Sequence, residues 1–146
     1  AEAWHGHRQW LDGDDSLSYD ARVAQRIRRG AAISAADYLD VQDERQRLIS
    51  VARERLGDAD AWLLPSVAVV PPKLADLAED AAFFATNGLV LRNTSVINFL
   101  DGCALSLPCQ RGEELPVGLS IAGLHGQDAR VLQVSRAIEA LLREHT

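Results

Sequence analysis

Cys103-Ala-Leu-Ser-Leu-Pro108-Cys-Gln-Arg-Gly112-Glu-Glu-Leu115-Pro-Val-Gly118-Leu-Ser-Ile-Ala122 is the stretch on which the reading of the fold turns. It holds a short apolar run, Ala104 to Pro108, and a second one, Leu115 to Ala122. Between them lies a polar turn, Gln110 to Glu114, containing Gly112. Two such runs around a Gly-containing turn predict a pair of strands joined as a hairpin. Directly after it, residues 127–144 place Val131, Val134, Ile138, Leu141 and Leu142 on one side of a helix.

The same reading extends upstream. Ser34 and Asp37 form the S-x-x-D signature of a helix start. From there to Leu56, Tyr38, Val41, Leu48, Ile49, Ala52 and Leu56 fall at helical spacing, and Gly57 supplies the stop. Residues 62–70 (WLLPSVAVV) predict a buried strand kinked at Pro65 and closed by Pro71-Pro72. Residues 73–90 read as loop and short helix, and Ser95 onward as an approach to the hairpin. Residues 20–29 predict a helix ended by Gly30, residues 1–12 a short helix, and residues 12–18 an acidic loop. No internal repeat or low-complexity segment interrupts this order. The expected fold class is α/β, with strands of a mixed sheet covered by long helices. So few strands sit more comfortably within a larger sheet than as one of their own.

Composition narrows the function. The chain has 146 residues, 47% hydrophobic and 25% charged, with 5% aromatic. That suits one domain or a large piece of one. A net charge of -6 argues against nucleic-acid binding, and Arg22, Arg26, Arg28 and Arg29 read as a solvated helix face. No apolar run approaches the ~18 residues of a membrane span, and the first residues are not those of a signal peptide. Cys103 and Cys109 are six residues apart on extended chain, roughly 20 Å, too far for a disulfide. Free thiols suit a reducing cytoplasm. The sequence has no Met and opens at Ala1 in what reads as mid-helix. The expectation is a fragment, a processed chain or the second chain of a split protein.

The candidate chemical motifs are weak one by one. His5 and His7 form H-x-H without a third ligand nearby, and read as surface histidines. Gly123-Leu-His125-Gly-Gln-Asp128 superficially resembles a phosphate loop but lacks G-x-G-x-x-G. It reads as a strand-to-helix turn with Asp128 at the helix N-terminus. Ser66, Ser106 and His125 could in composition supply a Ser-His-Asp triad, but no G-x-S-x-G elbow presents a nucleophile.

In order, the segments say more. Asn93-Thr94-Ser-Val-Ile-Asn98-Phe-Leu-Asp101-Gly-Cys103-Ala-Leu-Ser106-Leu-Pro108-Cys109, then Leu115-Pro-Val-Gly-Leu119, then Gly123 and Asp128, resembles the C-terminal end of the amidase-signature family. Gly30-Ala-Ala-Ile-Ser-Ala-Ala-Asp-Tyr38, the helix with Arg45 and Leu48, and Trp62-Leu-Leu-Pro65 fit the same pattern, so the resemblance runs from about Glu2 onward. Asp101, Cys103 and Gln110 depart from it, standing where many members have Gly, Pro and Gly.

The resemblance implies amide-bond hydrolysis by a Ser-cisSer-Lys triad: a buried, near-neutral Lys acts through a bridging Ser, a second Ser attacks the carbonyl, and backbone N–H groups hold the oxyanion. This chain has one lysine, Lys73, and neither a Ser-Ser pair nor a Gly-Gly-Ser-Ser loop. The triad is therefore expected in an N-terminal part of the same enzyme, in the same or a separate chain. Residues 1–146 would supply sheet strands and one wall of the pocket. The resemblance assigns substrate binding to Arg45, Asn93, Thr94 and Asp101. Arg45 matches an Arg that helps hold a carboxylate in the tRNA-dependent amidotransferases of this family, a task its planar fork suits. A helix-surface Arg or a structural ion pair remains its alternative, and Asn98 reads as structural. The acidic residue that holds the substrate's amine there is matched by Leu91, which counts against glutamine. No metal or organic cofactor is implied. The expected partners are the triad-bearing part and a small amide, with no nucleic acid or membrane; a homodimer of the complete enzyme is compatible. The competing readings are a non-catalytic assembly module that keeps this fold and an unrelated α/β enzyme. A large exposed apolar patch would favour a severed enzyme part over such a module. Leu63, Leu64, Val67, Val69, Leu105, Leu107, Leu119 and Ile121 are the residues expected to carry it.

Overall fold

The computed structural model describes residues 1–13 and 18–144. Most of the expected acidic loop, residues 14–17, lies outside the described residues. The chain divides into two units, Ala1–Gln46 and Arg47–Thr146.

The first unit holds α1 (Glu2–Leu11), α2 (Ala21–Arg28) and the start of α3 (Ala35–Leu56). The Asp20 carboxylate accepts from the backbone N–H groups of Arg22 (2.8 Å) and Val23 (3.4 Å), which fixes where α2 starts. The chain does not stop at Gly30; it tightens into a 3-10 turn over Arg29–Ala32. Gly30 is needed there for close approach, since a Cβ would lie 2.8 Å from Trp4 Cβ. Leu11 and Ala24 are the buried centre of this unit. Arg28 donates to the Leu11 carbonyl at 2.9 Å, so one member of the arginine cluster ties α2 to the end of α1. The expected cap of α3 is in place. The Asp37 N–H donates to Ser34 Oγ (3.1 Å), while Asp37 Oδ2 accepts from the Ser34 N–H (3.1 Å) and hydroxyl (2.7 Å). These bonds hold the Asp37 carboxyl below the usual carboxylate range.

In the second unit α3 ends at Leu56, with Gly57 at φ +53°. Of the expected apolar stripe, only Ala52 and Leu56 are fully buried, packed with Leu124 and flanked by Trp62 and Leu100. Val41, in the first unit, stays exposed.

The sheet has three strands, β1 (Trp62–Pro65), β2 (Cys103–Pro108) and β3 (Gly118–Gly123), in the order β1-β3-β2. Both pairings are antiparallel, and β2 and β3 form the expected hairpin. Helices and sheet together give the α/β class. The strand expected over 62–70 is shorter than its apolar run. Pairing stops soon after Pro65, which has no N–H to give the ladder, and the valines beyond form bends leading to Pro71-Pro72.

Strand alternation sorts the sheet into two faces. Leu105, Leu107, Leu119 and Ile121 share one face and meet α5 (Asp128–Glu144) through Val131, Val134, Ile138 and Leu142. Leu141 points away and is exposed. The helix α4 (Asp80–Phe99) is the main departure from expectation. Leu74–Leu77 form a short 3-10 helix, as the reading of 73–90 as loop and short helix allows, but one long helix takes residues 80–90 and runs on through Phe99, up to the strand-like run read in 95–108. No described helix is long and apolar enough to cross a membrane.

Candidate functional site

The sheet face away from α5 carries hydroxyls. Ser106 stands opposite Ser120 in the β2–β3 register. One step past Pro65, the Ser66 N–H donates to the Gly118 carbonyl (2.8 Å), so Ser66 continues β1 and lands on the same face. The three side chains form a row: Ser66 Oγ lies 2.5 Å from Ser106 Oγ and 2.8 Å from Ser120 Oγ. Ser120 is buried, Ser66 half-buried and Ser106 exposed. Gly118 makes the row possible, because a Cβ there would come within 2.6 Å of both the Ser66 and Ser106 hydroxyl oxygens.

α4 closes part of this face. Asn93 donates its side-chain amide to the Pro65 carbonyl at 2.7 Å, occupying the acceptor just before Ser66. Asn93, Thr94, Ile97, Leu64, Ala104 and Ser120 line a small pocket of 150 Å³. A larger cleft of 580 Å³ opens on the other side of Ser66, with Val67, Val70, Val90, Pro116 and Val117 among its walls. Ser66 lines both. Of the expected substrate residues, Asn93 and Thr94 thus share one pocket with the hydroxyl row. The Thr94 hydroxyl donates back to the Leu91 carbonyl (3.2 Å). Arg45 lies half-buried in the first unit, on α3, and its charge acts on Tyr38. The hydrogen bond Tyr38 donates to Glu2 (2.8 Å) dominates there and raises the phenol above its ordinary value.

Asp101 has a backbone reason for its position. Gly102 N–H donates to the Ile97 carbonyl (3.0 Å) and Asp101 N–H to the Asn98 carbonyl (3.2 Å). This is a Schellman end to α4, with Asp101 at φ +58°. That left-handed conformation suits Gly, the residue the wider pattern has here, and Asp and Asn tolerate it. The Asp101 carboxylate lies 3.3 Å from His125 Nδ1, both side chains being exposed. Asp101→Val should lower stability by about 2 kcal/mol, because a β-branched residue fits this conformation poorly. Asp101→Gly should change it by less than about 1 kcal/mol, since an exposed ion pair contributes little. Urea-unfolding midpoints of the two variants check this, and equal midpoints would remove the backbone explanation.

The remaining candidates are accounted for by their partners. Cys103 and Cys109 are free, with Sγ atoms 3.5 Å from the Leu124 and Val117 carbonyls. Burial, aided by the charge of Asp128, pushes the Cys103 thiol up, which disfavours the thiolate. His7 pairs through Nδ1 with the Tyr19 hydroxyl (2.7 Å). Among the described residues no three His, Cys, Asp or Glu side chains gather as a ligand set. His125 sits in the expected strand-to-helix turn, with Gly126 at φ +76° and Leu124 N–H donating to Gln127 Oε1 (2.9 Å). Sequence reasoning noted Ser66 and Ser106 singly but not as a row, and it missed Ser120. The available signal was that Ser106 and Ser120 occupy equivalent alternation positions in two paired strands.

Comparison with known proteins matches residues 10–132 to the family model described as Amidase. A 2-amino-5-chloromuconic acid deaminase of Comamonas testosteroni is 32% identical over 84% of this chain and 27% of its own. A fatty acid amide hydrolase of Medicago truncatula is 29% identical over 88% of this chain and 21% of its own. The A-type polypeptide of the glutamyl-tRNA(Gln) amidotransferase of Acidobacterium capsulatum is 30% identical over 86% of this chain and 27% of its own. The chain thus spans about a quarter of the length of these relatives. A crystal structure of an amidase superposes with a TM-score of 0.72 at 26% identity, over 94% of this chain and 32% of that one. With the family pattern running through most of its length and the same fold beneath it, the chain belongs to the amidase family.

Proposed function

We propose that these residues are the C-terminal portion of an amide-bond hydrolase, and that the Ser-cisSer-Lys triad lies in an N-terminal portion outside them. The sheet and α4 would supply one wall of the substrate pocket. Asn93 and Thr94 would line it, and Arg45 and Asp101 are the further substrate-binding candidates. The chemistry needs no metal or organic cofactor. A cytoplasmic enzyme, acting on a small amide and able to pair as a homodimer, fits this reading.

The observation that carries it is a family match over most of a chain that has no Ser-Ser pair and whose one lysine is exposed. The triad's base is a buried lysine, and an exposed one does not fit that role. The surface supports the same reading. Of the strand residues expected to form an apolar patch, Leu107 and Ile121 are buried, Leu63 is exposed and the others are half-buried. Exposed apolar side chains lie instead on α4, including Val96 (52% exposed) and Phe99 (37%), and on the loops, including Val70 and Leu115. Such a surface fits a part that another part covers better than a free-standing module.

The test is hydrolysis of a panel of primary amides, followed by ammonia release. Residues 1–146 alone should give none above background, and the complete protein as purified from its source should turn over. Hydrolysis by residues 1–146 alone, lost in Ser66→Ala, would place the nucleophile here and overturn the proposal.

A further inference from the structure

The peptide unit between Pro65 and Ser66 is held from both sides. Its N–H, on Ser66, donates to the Gly118 carbonyl at 2.8 Å, and its carbonyl, on Pro65, accepts from Asn93 Nδ2 at 2.7 Å. A trans peptide unit is planar, with N–H and C=O pointing opposite ways, so β3 grips one edge of the plate and α4 the other. The neighbours of Asn93 fix which way its amide faces. Its Oδ1 accepts from Arg92 Nε at 3.3 Å, and the reverse arrangement would set Oδ1 against the Pro65 carbonyl, two acceptors face to face.

What this grip controls lies one residue further on. Ser66 is the middle member of the hydroxyl row, meeting both Ser106 and Ser120, so a displacement of Ser66 disturbs two hydrogen bonds at once. Its own strand gives it little support. β1 ends at Pro65, which offers no N–H, and residues 66–69 are bends. Thr94, the next residue on α4, makes no such tie to the sheet through its hydroxyl, which donates back into its own helix at the Leu91 carbonyl. The Asn93 amide is committed to the backbone of the fold, which is a different task from holding a substrate.

We propose that Asn93 is a positioning residue: by fixing the Pro65–Ser66 peptide unit it aims the Ser66 hydroxyl, and with it the row Ser106–Ser66–Ser120, along the wall where the two pockets meet, and it does not itself touch substrate. This rests on the reading of the chain as one wall of an amide hydrolase's pocket, and it changes the part Asn93 plays there, since Asn93 acts through Ser66.

The experiment uses the complete protein as parent, Asn93→Ala, Ser66→Ala and the double variant, each assayed below its unfolding midpoint. The probes are acetamide, butyramide, benzamide and L-glutamine. For the fastest-hydrolysed of these, each single substitution should lower kcat/KM by about three- to tenfold, the size expected for losing one or two neutral hydrogen bonds. The double variant should be no worse than the weaker single variant, because a clamp has nothing to aim once the hydroxyl is gone. Defects that multiply would mean that Asn93 meets the substrate directly, and would overturn the inference. So would an Asn93→Ala protein that is less stable but equally active, which marks a purely structural tie, and so would full activity in Ser66→Ala. Backbone amide exchange is measured on the same proteins. In Asn93→Ala the Ser66 amide should exchange about three- to tenfold faster while that of Ile121, in the central strand, is unchanged. Equal exchange at Ser66 in the parent and Asn93→Ala overturns the inference. If the parent hydrolyses none of the four amides, it is the hydrolase reading that fails, and exchange at Ser66 then decides the clamp alone.

Discussion

Ile121→Ala should lower the stability of the chain by about 3–4 kcal/mol, as expected for truncating a fully enclosed aliphatic side chain. Ile121 is 0% exposed and sits in β3, the central strand, paired with Leu63 on one side and Leu105 on the other. Its side chain packs with Leu107 and with Val131 of α5. Neighbours on three sides belong to a sheet and a helix, which cannot collapse into the space left behind, so both transfer and cavity costs apply. Leu63→Ala is the control. Leu63 shares the cross-strand pair but is 58% exposed on the edge strand, and its truncation should cost less than about 1 kcal/mol. Urea unfolding with an unchanged m-value reads both. A midpoint for Ile121→Ala no lower than that of Leu63→Ala would show that the α5 layer does not hold the sheet.

Gly102→Ala should cost about 2–3 kcal/mol, at the upper end for overpacking by one methyl. A Cβ at this position would lie 2.6 Å from the Gly123 carbonyl oxygen, 3.1 Å from Ile97 Cγ2 and 3.3 Å from the Ile97 carbonyl oxygen. None of these can swing aside as a flexible side-chain tip would. Gly123 is held in register by Cys103, and Ile97 is a buried residue of α4 whose carbonyl already accepts from Gly102 N–H. The clash must therefore be relieved by moving the junction of α4 and β2 away from the end of β3. Gly126→Ala makes the contrast: its φ of +76° carries a backbone cost, but open space surrounds it, so about 1 kcal/mol is expected. The same unfolding experiment ranks the two, and the reverse order would refute the packing argument.

What the sequence made legible followed local rules. The Ser34–Asp37 box, the Gly57 stop, the hairpin and the apolar side of α5 each need only a few residues to specify them. α4 escaped because its apolar residues run all round it, so no 3.6-residue stripe stands out. Gly88, three asparagines and the β-branched Thr94, Val96 and Ile97 lower its helix propensity further. Packing against the sheet outweighs that propensity. Of the candidate site, the resemblance named Arg45, Asn93, Thr94 and Asp101; Asn93 and Thr94 line the 150 Å³ pocket, Arg45 and Asp101 do not, and a substrate role for any of them is the proposal made above. The hydroxyl row depends on the register between three strands separated by up to 54 residues, and single-residue inspection carries no register. Asp101 stands where the pattern it resembles has Gly, and its positive φ supplies the reason the position favours so few residues.

The strand order β1-β3-β2 leaves both outer strands with one row of backbone N–H and C=O groups that no described strand pairs. β1 limits its own row by brevity and by Pro65. β2 does so less: its six residues include no charged side chain, and its proline comes only at the end. Charge, bulges and early prolines are what keep such borders from recruiting foreign strands. The border along Cys103–Pro108 thus carries none of these guards before its last residue. When these residues are handled alone and at high concentration, the nearest available strand is that of another copy, and self-association should begin at β2.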